Sequence, residues 1–494
     1  MNPIDLLIFI AYMALVLGVG VYFLIRNKGA DDYYVGGRSM GSVHVGLSVV
    51  ATDVGGGFSI GLGGLGFTIG LTGSWMLFTG LVGAWVSAVL LIPRVKSNRA
   101  FDKAMTFPEV FEVFYDRRVA LAAGVISAIG YMGFTSSQIL AGAKLADGSF
   151  EGLDQGTALL IMGAIAVLYT GMGGIKAVIY TDTIQWILLM VGLIFIGIPI
   201  SYFAVGGWDA IEETLQPEML TLWNTSWQEI LKWAVTIIPI WFVAMTLYQR
   251  IYACRDEKTA KRAWFFAGLL EWPVMAFMGV ALGVLARVAA DQGMFDYLGP
   301  ENVSQTDPET GLPMLLRTVL PVGLMGLMMS SYFSAILSTA DSCLMASSGN
   351  VTSDLLSKFF DIGQESGGRR FLIVSQITTL LIGALALMLA WMMTTVLDLM
   401  LYSYAFMVSG LFVPVLGALF WRRSSPTGAF WAMLAGGATT VELEVLYDSL
   451  PLGLDANVFG IAMSAVVFVV ASLLVPPAST ARPPAREAAG SSAS

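Results

Sequence analysis

Ionisable side chains are scarce in this chain. Only 12% of its 494 residues are charged, His44 is its single histidine, and Cys254 and Cys343 are its two cysteines. One histidine argues against a metal or catalytic centre built from histidines, and two cysteines argue against a disulfide framework. Instead, 56% of the residues are hydrophobic and the mean hydropathy is +0.75. Repeated apolar runs of about 18 or more residues predict an all-α polytopic membrane protein.

The apolar runs predict thirteen membrane-spanning helices in one transmembrane domain, residues 1–476. With the N-terminus outside and the C-terminus in the cytoplasm, the segments predicted to face the cytoplasm hold 22 of the 26 Lys and Arg residues, as the positive-inside rule requires. The other four, near the outer ends of spans, are expected to extend to the surface: Lys144, Lys232, Arg287 and Arg317. A tail rich in Pro, Ala and Ser, residues 477–494, is predicted to be disordered. The predicted spans are 4–25, 43–69, 74–93, 119–145, 156–174, 180–203, 229–249, 263–287, 313–346, 371–393, 396–420, 428–447 and 456–476.

Spans two to six and seven to eleven form two blocks of five, about 43–203 and 229–420. An odd number of helices makes the second block enter the membrane from the opposite side, as in transporters built from inverted repeats. Matching helix breaks are predicted in the second span, in VATDVGGGFSIGLGGLG (50–66), and in the seventh span at Pro239. The alternative interpretation is that the glycines only allow helices to pack closely.

An unusually polar stretch, residues 330–354, lies in and just after the ninth span. Polar groups inside a bilayer are costly and usually mark an ion or substrate path. Ala335, Ser338 and Thr339 share one helix face. Their carbonyl and hydroxyl oxygens predict part of a Na⁺ site, completed by carbonyls freed near Ala51 and Val54. The alternative is that the hydroxyls only bond back to carbonyls of their own helix.

Two further acids, Asp182 and Asp341, are predicted to lie at similar depths near the cytoplasmic side. They could flank a second cation, or one could be held protonated by the other. The role of Glu271 stays open. Polarity and position predict a substrate pocket lined by Asp53, Gly55, Phe134, Thr135, Ser137, Gln138, Trp241, Tyr402 and Tyr404.

Four motifs in this chain resemble motifs of the sodium:solute symporter family. That family includes proline, sugar, sialate and pantothenate carriers. The resemblance covers nearly the whole chain and implies a leucine-transporter-type five-plus-five inverted repeat, with one helix before it and two after it. The motifs are ATDVGGG (51–57), GGIKAVIYTDTIQ (173–185), QRIYACRDEKTAKRA (249–263) and AILSTADSC (335–343).

The same resemblance implies ligands for Na⁺. The common site falls on the carbonyls of Ala51, Val54 and Ala335 and on the hydroxyls of Ser338 and Thr339. A second site of some members falls on Asp182, Ser338, Asp341 and Ser342. The chain departs from the family at Asp341, where two-sodium members carry a hydroxyl residue, and in FTSSQ (134–138), which has no arginine to bind a sialate-like carboxylate.

These observations predict a sodium-coupled symporter that imports a small organic solute, with a mild preference for an amino acid or a carboxylate. Its expected partners are the solute, the coupling Na⁺ and the lipid of the plasma or inner membrane; we expect neither a nucleic-acid partner nor an obligate protein partner. A proton-coupled carrier that uses Asp182 and Asp341 is the main alternative, followed by a channel or a transporter-like sensor. A membrane enzyme is disfavoured, because no nucleophile–base or metal-ligand constellation is present.

Overall fold

Helices make up nearly all of the described structure. The computed structural model describes residues 2–26, 35–150, 153–298, 304, 306–360, 369–447 and 449–477, and within them the one strand-like pairing is a bridge between Met40 and Cys254. The main helices are α1 (Pro3–Arg26), α2 (Ser42–Ile69), α3 (Trp75–Leu90), α4 (Pro108–Phe114), α5 (Arg117–Ser149), α6 (Gln155–Gly192), α7 (Trp227–Val243), α8 (Met245–Ala253), α9 (Glu257–Leu269), α10 (Ala276–Asp291), α11 (Pro308–Val319), α12 (Leu324–Gly349), α13 (Arg369–Met392), α14 (Val396–Phe420), α15 (Pro426–Leu446) and α16 (Ala456–Leu474).

Shorter helical turns connect or extend these helices. Wider, π-type turns continue α6, join α9 to α10 and extend α12, at Leu193–Gly197, Leu270–Met275 and Asn350–Leu356. Short α-helices lie at Ile92–Lys96, Ile198–Ala204, Gly207–Thr214 and Ser357–Phe359, and 3₁₀ turns at Gly36–Arg38, Gly70–Ser74, Arg99–Phe101, Pro217–Leu220, Asp296–Leu298 and Pro451–Gly453.

Many of these helices suit a bilayer. Within the described residues, eight helical stretches are long and apolar enough to cross a membrane, or nine if α7 and α8 count as one bent span. The count of thirteen spans therefore stays a prediction. The predicted tail lies outside the described residues from residue 478 onward.

One predicted span boundary is wrong. The ninth span, predicted as 313–346, is two helices, because Pro321 and Gly323 interrupt the chain between α11 and α12 and Gly323 has a φ of 92°. Residues Gln155–Gly192 are helical throughout, including the segment 175–179 that is predicted as a loop. The chain nevertheless folds back on itself between the fifth and sixth predicted spans, because Ile165 and Gln185 line the same small cavity although a straight helix would hold them about 30 Å apart.

Helices α2 and α12 lie in the interior of the bundle. α2 packs against α5, α6, α9, α10, α11, α12 and α14, and α12 is buried over nearly its whole length. The polar side chains of α12 consequently face other helices rather than lipid. Apolar side chains such as Trp431, Val466 and Leu474 are exposed on the peripheral helices α15 and α16, as a lipid-facing surface requires.

Candidate functional site

The helix α2 is broken at Gly55, within the stretch where a break is predicted. Gly55 has φ 41° and ψ −161°, outside the helical region, and only glycine adopts a positive φ at little cost. A Cβ at this position would lie 2.7 Å from Cγ2 of Thr339 and 2.9 Å from Oε1 of Gln138. The break therefore brings the backbone of α2 against side chains from α12 and α5.

Gln138 stabilises the far side of this break. Its Oε1 accepts a hydrogen bond from the backbone N–H of Gly56 at 2.8 Å, and its Nε2 donates to Oγ of Ser137 at 3.2 Å. Gln138 is fully buried. Its amide takes up an N–H group at the start of the second half of α2, which has no partner within its own half-helix.

Four residues of the predicted sodium site meet next to the break. Oγ1 of Thr339 donates to the carbonyl of Ala51 at 2.9 Å, across the contact between α12 and α2, and lies 3.2 Å from the carbonyl of Ala335. Oγ of Ser338 donates to the same Ala335 carbonyl at 3.0 Å. Val54, the fifth predicted ligand, directly precedes Gly55. The arrangement gathers neutral oxygen atoms, which suit a hard monovalent cation.

Two of the residues predicted to form a second sodium site contact a guanidinium group. Arg250, near the end of α8, lies with Nη2 3.5 Å from Oδ2 of Asp182 and 3.1 Å from Oγ of Ser342. Its Nε donates to Oγ of Ser48 at 3.0 Å, and its Nη2 donates to Oγ1 of Thr52 at 2.5 Å. Arg250 and Asp182 are both fully buried, so a fixed positive charge stands where the sequence predicts a cation.

Ser338 and Asp341 lie at the edge of this group, which we call the Arg250 cluster (Ser48, Thr52, Asp182, Arg250 and Ser342). The hydroxyl of Ser338 is within hydrogen-bonding range of Asp182, so it touches both predicted sites. The carboxyl group of Asp341 contacts Thr170 on α6 instead. Its Oδ1 has no donor among the described residues.

A second helix break separates α7 from α8. These helices are bent by 44° at Ala244, where ψ is 113°. The predicted break at Pro239 is therefore wrong by five residues: a proline removes one helical hydrogen bond, and α7 continues through it. The hydroxyl of Tyr131 accepts from the backbone N–H of Thr246 at 3.1 Å, and the hydroxyl of Tyr248 donates to the carbonyl of Phe242 at 2.9 Å.

The predicted substrate residues divide into an inner and an outer group. Phe134 and Tyr404 are buried and meet edge to face with ring centroids 5.0 Å apart. Trp241 is buried against Trp264, and a Cβ at Gly83 would lie only 2.4 Å from its ring. Thr135 and Ser137 are buried and bond back to carbonyls of α5.

Tyr402 belongs to the outer group and does not line an interior pocket. It is 45% exposed and contacts Glu444 on α15. Residues two apart on a helix are about 200° apart around its axis, so Tyr402 and Tyr404 point to opposite sides of α14. Asp53, in contrast, faces the interior and contacts Glu271.

A buried ion-pair cluster lies on the other side of the Gly55 break. Nζ of Lys144, from α5, lies 2.6 Å from Oδ2 of Asp307 and 2.7 Å from Oε2 of Glu309. Glu309 also accepts from the backbone N–H groups of Val396 and Leu397, at 2.9 to 3.0 Å. A carboxylate is favoured there because the first N–H groups of α14 lack helical partners. Lys144 is only 2% exposed, so the prediction that it extends to the surface is wrong.

These two clusters lie on opposite sides of the Gly55 break along α2. Ser48, in the Arg250 cluster, lies seven residues before Gly55, and Gly64, which packs against Glu309, lies nine residues after it. At 1.5 Å per helical residue, these positions are about 10 Å and 14 Å from the break.

Arg250 and Tyr131 are functional-site residues that the sequence patterns do not reveal. By its position Arg250 belongs to the basic residues predicted to face the cytoplasm, although it is the one charged residue of α8, whose side chains are all buried. A lone charge in a short apolar segment was the available signal. Tyr131 stands on α5 seven residues before Gln138, so both lie on the face that meets the two helix breaks.

Comparisons with known proteins agree on one family. The profile of the sodium:solute symporter family matches residues 33–436. The high-affinity proline transporter PutP of Bacillus subtilis (strain 168) is 27% identical over 450 residues, which cover 88% of this chain and 92% of that protein. The osmoregulated proline transporter OpuE of the same strain is 27% identical over 477 residues, covering 94% and 92%.

Solved structures identify the fold. A Na⁺-coupled sialic acid symporter, in a substrate-bound outward-open state, superimposes with a TM-score of 0.77 at 23% identity, covering 96% of this chain and 98% of that one. Mhp1, a nucleobase-cation-symport-1 family transporter, superimposes in a closed conformation with a TM-score of 0.56 at 15% identity, covering 90% and 94%. The predicted all-α, leucine-transporter-type membrane fold is thereby confirmed.

Proposed function

The chain belongs to the sodium:solute symporter family and is a multi-pass membrane protein that couples the transport of a small solute to that of Na⁺; on this premise we propose that the coupling Na⁺ binds between α2 and α12. The ligands are the carbonyls of Ala51, Val54 and Ala335 and the hydroxyls of Ser338 and Thr339. One observation carries this proposal: Thr339 Oγ1 bridges the carbonyls of Ala51 and Ala335. A hydroxyl group that donates a hydrogen bond in this structure can rotate its proton away and coordinate a cation with its oxygen lone pairs.

The Arg250 cluster supports a single Na⁺ on this side of the break. A second Na⁺ between Asp182 and Ser342 would lie against the guanidinium of Arg250, and like charges in a buried site repel strongly. In the proposed mechanism Arg250 acts as the fixed cation of this cluster. It holds α8 against α2, α6 and α12 and thereby closes the path from Na⁺ to the cytoplasm.

Orientation follows from the distribution of Lys and Arg. We propose that the N-terminus is outside and the C-terminus in the cytoplasm of a cell (plasma or inner) membrane. Residues 1–476 then form one transport domain with repeats at about 43–203 and 229–420. The Arg250 cluster lies on the cytoplasmic side of the break, and the Lys144 cluster lies on the outer side.

Import follows from opening these two closures in turn. Release of the Lys144 cluster admits Na⁺ and solute from outside, and release of the Arg250 cluster delivers them to the cytoplasm. A membrane potential of about 100 mV adds roughly 2.3 kcal/mol for each charge that moves inward.

The solute proposed is an amino acid, with proline as the first candidate. Two relatives are named as proline transporters, and they match nearly the full chain. The lack of arginine in FTSSQ (134–138) disfavours a sialate-like acid that needs a guanidinium partner. Buried Phe134 and Tyr404 offer an apolar wall for a small ring.

Reconstituted vesicles test the proposal directly. Purified protein in liposomes should accumulate labelled proline when an inward Na⁺ gradient is imposed, and unlabelled amino acids should compete with it. A K⁺ gradient of the same size is the control. Uptake that is indifferent to Na⁺, or that a pH gradient drives equally well in Na⁺-free buffer, would show that the coupling proposal is wrong.

Lys144→Met is expected to impair the outer closure. It leaves buried Glu309 and the adjacent Asp307 without their cation, and breaking a buried ion pair costs about 3–5 kcal/mol. Both thermal stability and the maximal uptake rate should fall.

Lys232→Met is the matched control for this variant. Lys232 also lies near two carboxylates, Glu229 and Asp455, but it is 24% exposed, and such surface pairs contribute about 0–1 kcal/mol. Equal losses in the two variants would contradict a special role for Lys144.

A further inference from the structure

A buried acid, Asp354, lies where the extension of α12 meets the segment before α4. It belongs to the π-type turn Asn350–Leu356 and is 4% exposed. It packs against α5 so closely that a Cβ at Gly124 would lie 3.2 Å from its own Cβ. Its Oδ2 has no hydrogen-bond partner among the described residues, and such unpaired polar atoms are rare in protein interiors.

Thr106 joins Asp354 to a second acid, Glu109. Oγ1 of Thr106 is fully buried and lies 2.8 Å from Oδ1 of Asp354 and 3.1 Å from Oε1 of Glu109. The same Oε1 accepts hydrogen bonds from the backbone N–H groups of Met105 and Thr106, at 3.1 and 3.2 Å. Three side-chain oxygen atoms therefore follow one another at hydrogen-bonding distance.

This row of three oxygen atoms lacks one hydrogen atom when both acids are ionised. A threonine hydroxyl donates a single hydrogen bond, so Thr106 serves either Asp354 or Glu109 as a donor. The other short contact then joins two oxygen atoms with no hydrogen atom between them. A proton on Asp354 completes the row: Asp354 donates to Thr106, Thr106 donates to Glu109, and Glu109 still accepts from the two backbone N–H groups.

The charged groups around the pair leave it without a direct counter-charge. Among the described residues, no Lys or Arg forms an ion pair with Asp354 or Glu109, and Lys358 instead pairs with Glu112 at 2.6 Å. From Phe371 to Met392, α13 contributes no titratable group. The titratable and charged groups around the pair are Glu112 on α4, Lys358 after the extension of α12, Tyr252 on α8, Arg117 on α5, which donates to the carbonyl of Lys358, and Arg38, which donates to the carbonyl of Ala104.

The electrostatics of the two acids agree with a bound proton. Burial raises the pKa of Asp354 well above its usual range, and the neighbouring charge of Glu109 raises it further. Burial also raises the pKa of Glu109, although hydrogen bonds from Met105 and Thr106 oppose this effect. Both acids lie outside the predicted spans, in the segments 94–118 and 347–370 that are proposed to face the cytoplasm. Two close acids of this kind hold one proton more readily than they ionise together.

The segment that carries Thr106 also contacts α8, next to the Arg250 cluster. The hydroxyl of Tyr252 donates to the carbonyl of Thr106 at 3.4 Å. The ring of Phe107 packs against that of Tyr248, with centroids 4.7 Å apart. Tyr248 and Tyr252 lie two residues before and two residues after Arg250. The segment therefore joins α8 to the extension of α12 on the proposed cytoplasmic side.

We propose that Asp354, Thr106 and Glu109 bind one proton and thereby stabilise the closed state of the cytoplasmic side. With the proton in place, the row of hydrogen bonds ties the extension of α12 to the segment that contacts α8. When the cytoplasmic side opens, water reaches the pair and the proton dissociates, so a low cytoplasmic pH favours the closed state. Proton binding itself is independent of the proposed function, and its effect on transport rests on that function.

The pH dependence of thermal unfolding tests the proton site without any transport. Acids of the unfolded chain ionise near about pH 4, whereas the folded pair keeps one proton to a higher pH. The folded protein therefore loses stability as the pH rises until the pair ionises, by up to about tenfold in the folding equilibrium for each pH unit. Asp354→Asn has a permanent N–H donor in place of the proton and lacks this loss. Its unfolding temperature should rise relative to that of the unmodified protein between about pH 5 and about pH 8.

Asp102→Asn is the matched control, because Asp102 is an exposed acid in the same segment as Thr106; its unfolding temperature should run parallel to that of the unmodified protein. A constant difference between D354N and the unmodified protein over this pH range would overturn the proposal. If D354N does not fold, Glu109→Gln decides, since one proton serves both acids and glutamine still accepts the two backbone N–H groups. A weaker pH dependence than that of the unmodified protein supports the site, and an equal one overturns it.

Right-side-out membrane vesicles test the effect on transport, because their lumen is the cytoplasmic side. A higher lumenal pH at constant external pH should speed Na⁺-driven proline uptake by the unmodified protein several-fold, at most about tenfold for each pH unit, and should leave D354N nearly unchanged. Equal responses of the two proteins would show that the proton does not stabilise the closed state. Uptake that is independent of Na⁺ would contradict the proposed function instead, and the unfolding measurements would still decide whether the proton site exists.

Discussion

Replacing Arg250 with glutamine should reduce Na⁺-driven uptake by about a hundredfold or more. The substitution removes the guanidinium that contacts Asp182, Ser48, Thr52 and Ser342 and leaves a fully buried carboxylate without its cation. Breaking a buried ion pair costs about 3–5 kcal/mol, and each 1.4 kcal/mol is about a factor of ten in an equilibrium. Initial uptake rates in proteoliposomes and the unfolding temperature of the purified protein measure the effect.

Arg255→Gln is the control for the loss of a positive charge in the same motif. Arg255 is 67% exposed, and its nearest carboxylate, Asp256, is 54% exposed, so the change should alter stability by about 1 kcal/mol or less. The double variant D182N/R250Q removes both buried charges and should regain part of the stability that R250Q loses. Near-normal uptake by R250Q, or no gain in the double variant, would contradict the pairing.

Gly55→Ala should also strongly impair Na⁺-coupled uptake. A Cβ would lie 2.7 Å from Cγ2 and 2.9 Å from Oγ1 of Thr339, and 2.9 Å from Oε1 of Gln138. Alanine also disfavours a φ of 41°, with strain of about 1–3 kcal/mol, and overpacking adds about 1–3 kcal/mol. The added methyl group pushes Thr339 away from Ala51, so the concentration of Na⁺ for half-maximal uptake should rise steeply.

Gly18→Ala separates this effect from a general effect of removing glycine. Gly18 lies in α1, its φ is not positive, and a Cβ added there would have no other atom within 4 Å, so alanine should be neutral or slightly stabilising. A G55A protein with normal Na⁺ dependence would show that the contact between α2 and α12 does not control Na⁺ binding.

The sequence predicted the parts of the site that follow from local patterns. The glycines after Asp53 predicted the break in α2, and helical spacing placed Ser338 and Thr339 on one face of α12. The family resemblance then joined these residues to Ala51. In the structure Ala51, Ala335, Ser338 and Thr339 lie together, and their role as Na⁺ ligands stays a prediction.

The parts of the site that the sequence did not predict depend on contacts between distant segments of the chain. The break at Ala244 has no glycine or proline, because the hydroxyl groups of Tyr131 and Tyr248 satisfy its free backbone groups. In the sequence Arg250 resembles a cytoplasmic basic residue. It is buried because α6 and α12, which are distant in the chain, pack around it. Similarly, Lys144 is buried only because α11 brings Glu309 to it.

The Na⁺ dependence of Thr339→Ala tests the central claim, that Na⁺ binds between α2 and α12. Loss of one hydroxyl ligand to a cation should cost about 1.5–3 kcal/mol, so the Na⁺ concentration for half-maximal proline uptake should rise about tenfold or more. Thr379→Ala is the matched control, because Thr379 is also buried and bonds to a carbonyl of its own helix at 2.8 Å, but on α13. We expect a large shift for T339A and none for T379A; equal Na⁺ dependence in both variants would contradict Na⁺ binding between α2 and α12.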